Sequence, residues 1–362
     1  MTIPMRAAWL ALACALFAGC ATPPAASLAD HPPMASGAAP GASPEAFAMA
    51  RALGRGINFG NIFDAPSEGA WGLRLDDDLV AKTAEAGFTH VRLPVRWSNH
   101  ATPGGDATID DAFFQRVDHA VDALLARGLV VVLDMHHYRQ LDGDALDPGE
   151  MPVAAGLHAL RFLNMWKQIA QRYSDRGPKL VFELYNEPHG AQTASWNELA
   201  ARGLAVVRRS NPKRLVVIGP TQWNSANALS ALVLPNDANL IVTVHNYEPF
   251  HFTHQGAEWS SGAAAWLGTP CCDATQLAQM RAPLDTAAAW SARNRYPIYL
   301  GEFGAYGKAE MGARVTYTRR MRDEAERRGF SWAYWELASG FGAYDPVARA
   351  WRAPLKDALL GP

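Results

Sequence analysis

Cysteine is scarce: four in 362 residues, at Cys14, Cys20, Cys271 and Cys272. The first two lie in an apolar leader, so no disulfide framework holds the body together. Adjacent Cys271 and Cys272 match no metal-ligand spacing. They either close on each other in an oxidising compartment or are a loop detail without chemistry. Net charge is almost absent, at −2 with a pI of about 6.6, so no broad basic face is there to attract nucleic acid. No GxGxxG follows the first strand-like run and no P-loop occurs, which removes the main support for a nucleotide-binding open sheet. HxH and HExxH are missing too, and no metal or other cofactor is expected. What is abundant is apolar bulk, 49% against 19% charged residues, as a soluble chain with a sizeable core requires. The 12 tryptophans serve either core packing or aromatic platforms for sugars and apolar ligands.

The leader "AAWLALACALFAG" follows Arg6 and is too short to span a bilayer. Residues 1–20 therefore read as an export signal. "LFAGC" is similar to the bacterial lipoprotein box, with Cys20 as a candidate lipid anchor; Phe17 stands where Leu is usual. Cleavage near Ala21 by ordinary signal peptidase is the alternative, so the expected place is the outer membrane of the cell envelope or the exterior. Residues 21–48 are rich in Pro, Ala, Ser and Gly and read as a flexible linker. Residues 49–362 show no comparable break and are read as one catalytic domain, expected to be a monomer.

Eight apolar runs recur along that domain: 56–61, 90–95, 129–137, 179–187, 214–220, 240–247, 297–303 and 330–337. Segments with helical periodicity lie between them. In "DDAFFQRVDHAVDALLARG", Phe113, Val117, Val121, Leu124 and Leu125 form one stripe, with Asp110 and Asp111 at the start and Arg127 and Gly128 at the end. Strands apolar on both faces and joined by helices indicate a parallel sheet. Eight such units predict an α/β fold of the closed (β/α)8 TIM-barrel type, with a doubly wound open sheet as the weaker alternative.

In such a barrel the site lies at the C-terminal ends of the strands. The polar exceptions in these runs fall there: Arg92, His136, His137, Asn186, Glu187, His245, Tyr247, Glu302 and Trp335. One such residue would be unremarkable; six strands contributing together are hard to assign to packing. Side-chain alternation puts His245 and Tyr247 on one face and His136 with Asp134, while His137 starts on the opposite side. Adjacent histidines of that kind should not meet at one ion. "LVFELYNEPHG" and "PIYLGEFGAYG" raise the sharper question, because each sets a carboxylate where a buried strand runs out. Two acids facing each other across a barrel mouth can divide the labour of glycoside hydrolysis, one protonating the leaving oxygen and the other attacking or activating water. Arg92 near Glu302 would keep that acid ionised, whereas a drier setting would raise the pKa of its partner. The alternative is a pair of structural ion-pair carboxylates.

"FELYNEP" and "YLGEFG" resemble the two catalytic motifs of family 5 glycoside hydrolases. The likeness continues through "GRGINFGN", "HVRLPVRW", "DMHHY", "VTVHNYEPFHFTHQGAEW" and "AYWELASGFGAYD", covering residues 53 to about 360 in order. "NIFDAPSEGAWG" and "FTHQGAEW" are most similar to the branch acting on both β-1,4-glucans and β-1,4-mannans. The resemblance implies a retaining endo-β-1,4-glucanase without cofactor, acting on a β-linked polysaccharide or oligosaccharide. It implies Glu187 as acid/base and Glu302 as nucleophile, with Arg92 and Tyr247 holding Glu302 and His245 beside Glu187. Asn186 would bond the sugar 2-hydroxyl, His136 and His137 would contact sugar or support the site, and Trp335 would form the stacking floor. Asn61, Asp64, His254 and Trp259 would line the non-reducing side, with Asp64 where that branch usually has Glu. The rivals are the same chemistry on mannan, mixed-linkage β-glucan or xyloglucan, a silent carbohydrate-binding surface protein, and a metal-dependent barrel hydrolase.

Overall fold

A computed structural model describes residues 27–35 and 39–362. The expected export signal, Cys20 and residues 21–26 lie outside the described residues. Eight strands, β1 (Arg55–Asn58), β2 (His90–Val95), β3 (Val130–Met135), β4 (Leu180–Glu183), β5 (Val216–Ile218), β6 (Leu240–His245), β7 (Ile298–Phe303) and β8 (Ser331–Tyr334), pair in parallel in sequence order, and β8 closes on β1. The expected TIM barrel is what the chain forms. Every expected run contains a strand, but the hydrogen-bonded ladder stops earlier than the apolar pattern. His136, His137, Asn186, Glu187, Tyr247 and Trp335 therefore sit just past their strands, on the first loop residues above a rigid base.

Inside the barrel, Val130, Val132, Val181, Leu215, Val217, Ile241, Tyr299 and Ala333 pack on Ala46, Ala50 and Leu53 of the helix Pro44–Leu53. This helix plugs the end opposite the site. A larger apolar layer lies between strands and outer helices. The helix Asp111–Ala126 shows why: Phe113, Phe114, Val117, Ala120, Val121 and Leu124 are buried, and the Asp110 side chain accepts from Phe113 N at 3.0 Å. Each such apolar side chain contributes about 1.5–3 kcal/mol over leaving it in water. Among the described residues no helix is long and apolar enough to cross a membrane.

Two features differ from expectation. Part of the stretch read as linker is ordered. Pro44 to Ala48 lie in the plugging helix, and residues 27–35 run over the helix Trp196–Arg208. The Arg202 guanidinium donates to the carbonyls of Leu28 and His31 at 3.0 and 2.7 Å, and Met34 N donates to Ala201 O at 3.2 Å. Backbone carbonyls make most of these contacts, so side-chain composition gave no sign of them. The second difference follows β5, where no full-length helix forms. Gln222, Trp223 and Asn224 adopt φ of 57°, 57° and 54°, a left-handed run that L-residues cannot continue as a helix. Cys271 and Cys272 are bonded to each other in the loop before the helix Ala274–Asn294.

Candidate active site

Arg92, on β2, is fully buried at the top layer of the barrel interior. Its Nε and one Nη clasp Glu183 of β4 at 2.7 and 2.9 Å, and the same Nη lies 3.0 Å from Asp134 of β3. Glu183, an acid inside an apolar strand, is thereby explained: a buried guanidinium demands carboxylates around it. The other Nη donates to Asn58 Oδ1 at 2.9 Å and to Glu302 Oε1 at 2.7 Å. Asn186 Oδ1 accepts from Arg92 at 2.8 Å, which leaves the Asn186 amide N–H groups for the cleft.

Glu302 reaches this position because the ladder shifts register around it, between Leu300 and Phe303 and beside His245. Such irregularities re-aim side chains. Gly301 allows it: a Cβ there would lie 2.6 Å from Thr243 Oγ1 and 2.9 Å from His245 Nε2. The second Glu302 oxygen accepts from Tyr247 Oη at 2.9 Å and lies 3.6 Å from His245 Nδ1.

Glu187 stands across the mouth, partly exposed, at φ 54° directly before Pro188. Left-handed backbone at a non-glycine residue before proline costs on the order of 1–3 kcal/mol. The His189 Nδ1–H, donating to Glu187 O at 2.6 Å, holds it there. Glu187 Oε1 lies 2.6 Å from His245 Nδ1. Burial pushes the His245 pKa down to about 4, so the ring is neutral at pH 7. With the Asn224 amide nitrogen on Nε2 at 3.3 Å, Nδ1 carries the hydrogen and donates to Glu187. One donor atom each of Glu187, His245 and Glu302 lies within 4.8 Å of the other two.

Burial lifts the Glu187 carboxyl to about 7. It also lifts Glu302 to about 7, with the neighbouring Glu187 adding to the rise and Arg92 and Tyr247 opposing it. Two acids this close give up their protons in sequence. Glu302 holds the direct Arg92 and Tyr247 hydrogen bonds, which favour its ionised form.

The remaining expected residues form two further groups. Trp335 stacks on His136 at 5.6 Å and 6°, and a Cβ at Gly60 would lie 2.8 Å from the indole. His136 Nδ1 lies 2.6 Å from Asp134 Oδ2, the shared face that alternation implies. His137 departs from alternation. At φ 54° it turns back, and donor atoms of Asp64, His136 and His137 come within 4.8 Å of one another. Asn61, also left-handed, sits in the same β1 loop as buried Asp64. In the second group His254 packs on Tyr247 at 5.0 Å, and Trp259, 62% exposed, packs on Tyr306.

Six functional candidates escaped the sequence reading. Glu183, Asp134 and Asn58 hold Arg92; Asn224 sets the His245 tautomer; His189 and Trp223 flank Glu187. Glu183 had a visible signal, a carboxylate in a strand otherwise apolar. Trp223, 56% exposed and stacked on His189 at 4.7 Å, had none, because it depends on the left-handed run after β5. His137, Asp142, Asp144, Asn186, Glu187, His189 and Trp223 line a recess of about 140 Å³.

This arrangement can be set beside known proteins. Over 323 residues the chain is 34% identical to endoglucanase H of Acetivibrio thermocellus, covering 87% of this chain and 34% of that protein. The chain spans about a third of the length of the first curated relatives it matches (34% and 36%). Crystal structures of Thermotoga maritima Cel5A, in complex with mannotriose and with cellobiose, superpose with TM-scores of 0.81 at 43% and 44% identity, covering 87% of this chain and 99% of theirs. The family model for cellulase (glycosyl hydrolase family 5) matches residues 54–340. The chain belongs to glycosyl hydrolase family 5.

Proposed function

We propose that this chain is a retaining endo-β-1,4-glucanase, with Glu187 as acid/base and Glu302 as nucleophile. The observation that carries the proposal is the asymmetry of two close acids. Glu302 is tied to Arg92 at 2.7 Å and Tyr247 at 2.9 Å, whereas Glu187 has a neutral histidine for a partner. A donor-atom separation within 4.8 Å also suits retention, for which carboxyl groups stand about 5–5.5 Å apart.

In the first step a Glu302 oxygen bonds to the anomeric carbon, the glycosidic C–O bond breaks, and the Glu187 proton goes to the departing oxygen. In the second, water attacks the same carbon, gives its proton to Glu187, and frees Glu302. Asn186 donates to the sugar 2-hydroxyl, and Trp335 with His136 behind it forms the floor. Asn61, Asp64, His254 and Trp259 serve the non-reducing side, and His137 contacts the sugar or supports the site. Exposed Trp223 stands with Glu187 and His189, and exposed Trp259 with His254 and Tyr306, so each offers an aromatic face to a sugar chain. The test is proton NMR of products from cellopentaose: the β-anomer appearing first supports the proposal, and the α-anomer first refutes it.

Activity on mannan is the second reading, favoured by the mannotriose bound to Thermotoga maritima Cel5A. Initial rates on matched cello- and manno-oligosaccharides rank the two substrates. We also propose export and lipidation at Cys20, supported by the "LFAGC" motif. Palmitate labelling lost in Cys20→Ala is the expected result; a secreted, unlabelled wild type speaks against it.

A further inference from the structure

The expectation that His136 and His137 diverge rests on strand alternation, which holds only inside the ladder. β3 ends at Met135, and left-handed His137 swings back. Both rings then lie 4.2 Å apart and perpendicular, and one donor atom of each is within 4.8 Å of a donor atom of Asp64. Asp64 is fully buried. Its Oδ1 accepts from Ile62 N at 3.0 Å, but Oδ2 has no hydrogen-bond partner among the described residues. A buried carboxylate oxygen without a donor is costly, and this carboxylate belongs to a group of metal-ligating side chains. His136 completes the pattern. Asp134 engages its Nδ1, leaving Nε2 for a ligand, and a carboxylate behind a histidine is what orients such rings toward ions. Arg96 stands beside Asp64: its Nε donates to Asp64 O at 2.8 Å, one Nη is turned to Asp147 and Glu150, and the other Nη has no partner among the described residues.

We propose that Asp64, His136 and His137 form a divalent transition-metal site in the cleft, at which Zn2+ or a related ion excludes the sugar. Two imidazoles and one carboxylate suit Zn2+, Co2+, Ni2+ or Cu2+ rather than Ca2+ or Mg2+. Ligand bonds of about 2.0–2.2 Å bring donor atoms to roughly 3.4 Å of one another, so small rotations of the two rings suffice. The ion plays no part in catalysis. It occupies side chains that the proposed function gives to the sugar, and its exclusion of sugar rests on that reading. Inhibition by transition metals, reversed by chelator, follows.

The experiment is calorimetric titration of Zn2+ into chelator-treated full-length protein: wild type, Asp64→Asn, His137→Gln and Glu187→Gln. The last removes a ligand from the other donor group, Glu187, His245 and Glu302. One Zn2+ per chain is expected in wild type and Glu187→Gln, with at least roughly tenfold weaker binding in Asp64→Asn and His137→Gln. Co2+ absorption gives a second readout, and matching melting temperatures in chelator show that the variants are folded. No Zn2+ or Co2+ binding to wild type overturns the site, as does a loss confined to Glu187→Gln. Saturating cellobiose should weaken Zn2+ binding by tenfold or more. Unchanged affinity, with cellobiose binding shown separately, overturns the exclusion. If cellobiose does not bind at all, the glycan reading falls and the metal titration still stands on its own.

Discussion

Arg92 donates to Glu302 Oε1 at 2.7 Å, and the same guanidinium grips Glu183 with two further N–H groups. One cation thus fixes the proposed nucleophile in place while satisfying the fully buried carboxylate of Glu183. Replacing Arg92 with Met should leave Glu183, Asp134 and Glu302 uncompensated. Urea denaturation should report a loss of about 3–5 kcal/mol, and activity should collapse with it. A stability change below about 1 kcal/mol would show that the buried cluster is not held this way.

The second prediction concerns pH. With Glu187 raised to about 7, activity needs its proton and should fall as pH rises through about 7. The linked stability has a definite sign. A carboxyl whose folded pKa lies above its unfolded value stabilises the fold below the unfolded pKa, and that contribution is lost as pH rises through the folded one. Glu187→Gln should therefore narrow the stability difference between pH 5 and pH 8. It should also cost far less turnover on an aryl cellobioside with an acidic phenol leaving group than on an alkyl cellobioside. An alkaline limb that survives in Glu187→Gln would assign the titration to another group.

Asn186 presents its amide N–H groups because Arg92 occupies its carbonyl oxygen. Asn186→Ala should lower kcat/KM on cellotetraose by roughly 10²–10³, as loss of one well-placed transition-state donor does. The same change should matter much less on a 2-deoxy glycoside. Equal losses on both substrates would place its role elsewhere.

Leu53 is fully buried where the helix Pro44–Leu53 plugs the barrel. Leu53→Ala should destabilise the protein by about 2–5 kcal/mol with KM unchanged. A silent substitution would mean that the domain begins after this helix, at β1.

The barrel was legible because its strands are apolar on both faces, and "LVVVLDM" or "LIVTVH" can be little else between helical segments. The strand ends were legible for the opposite reason, since Glu187, Glu302 and His245 interrupt that pattern. What escaped depends on backbone turned left-handed or on partners distant in sequence. His137 broke the alternation assigned to it, and Trp223 emerged from three consecutive positive φ values. Glu183 is intelligible only once Arg92, 91 positions away, lies against it. The plug helix was hidden by its composition, because Pro and Ala at its start read as linker.

The central claim is that Glu302 attacks the sugar while Glu187 carries the proton. An activated 2-deoxy-2-fluoro-cellobioside, which slows the second step, tests it directly by mass spectrometry of the digested protein. One fluorocellobiosyl group is expected on the peptide bearing Glu302, and none on Glu302→Gln. Label on Glu187, or turnover without any trapped adduct, would contradict the account.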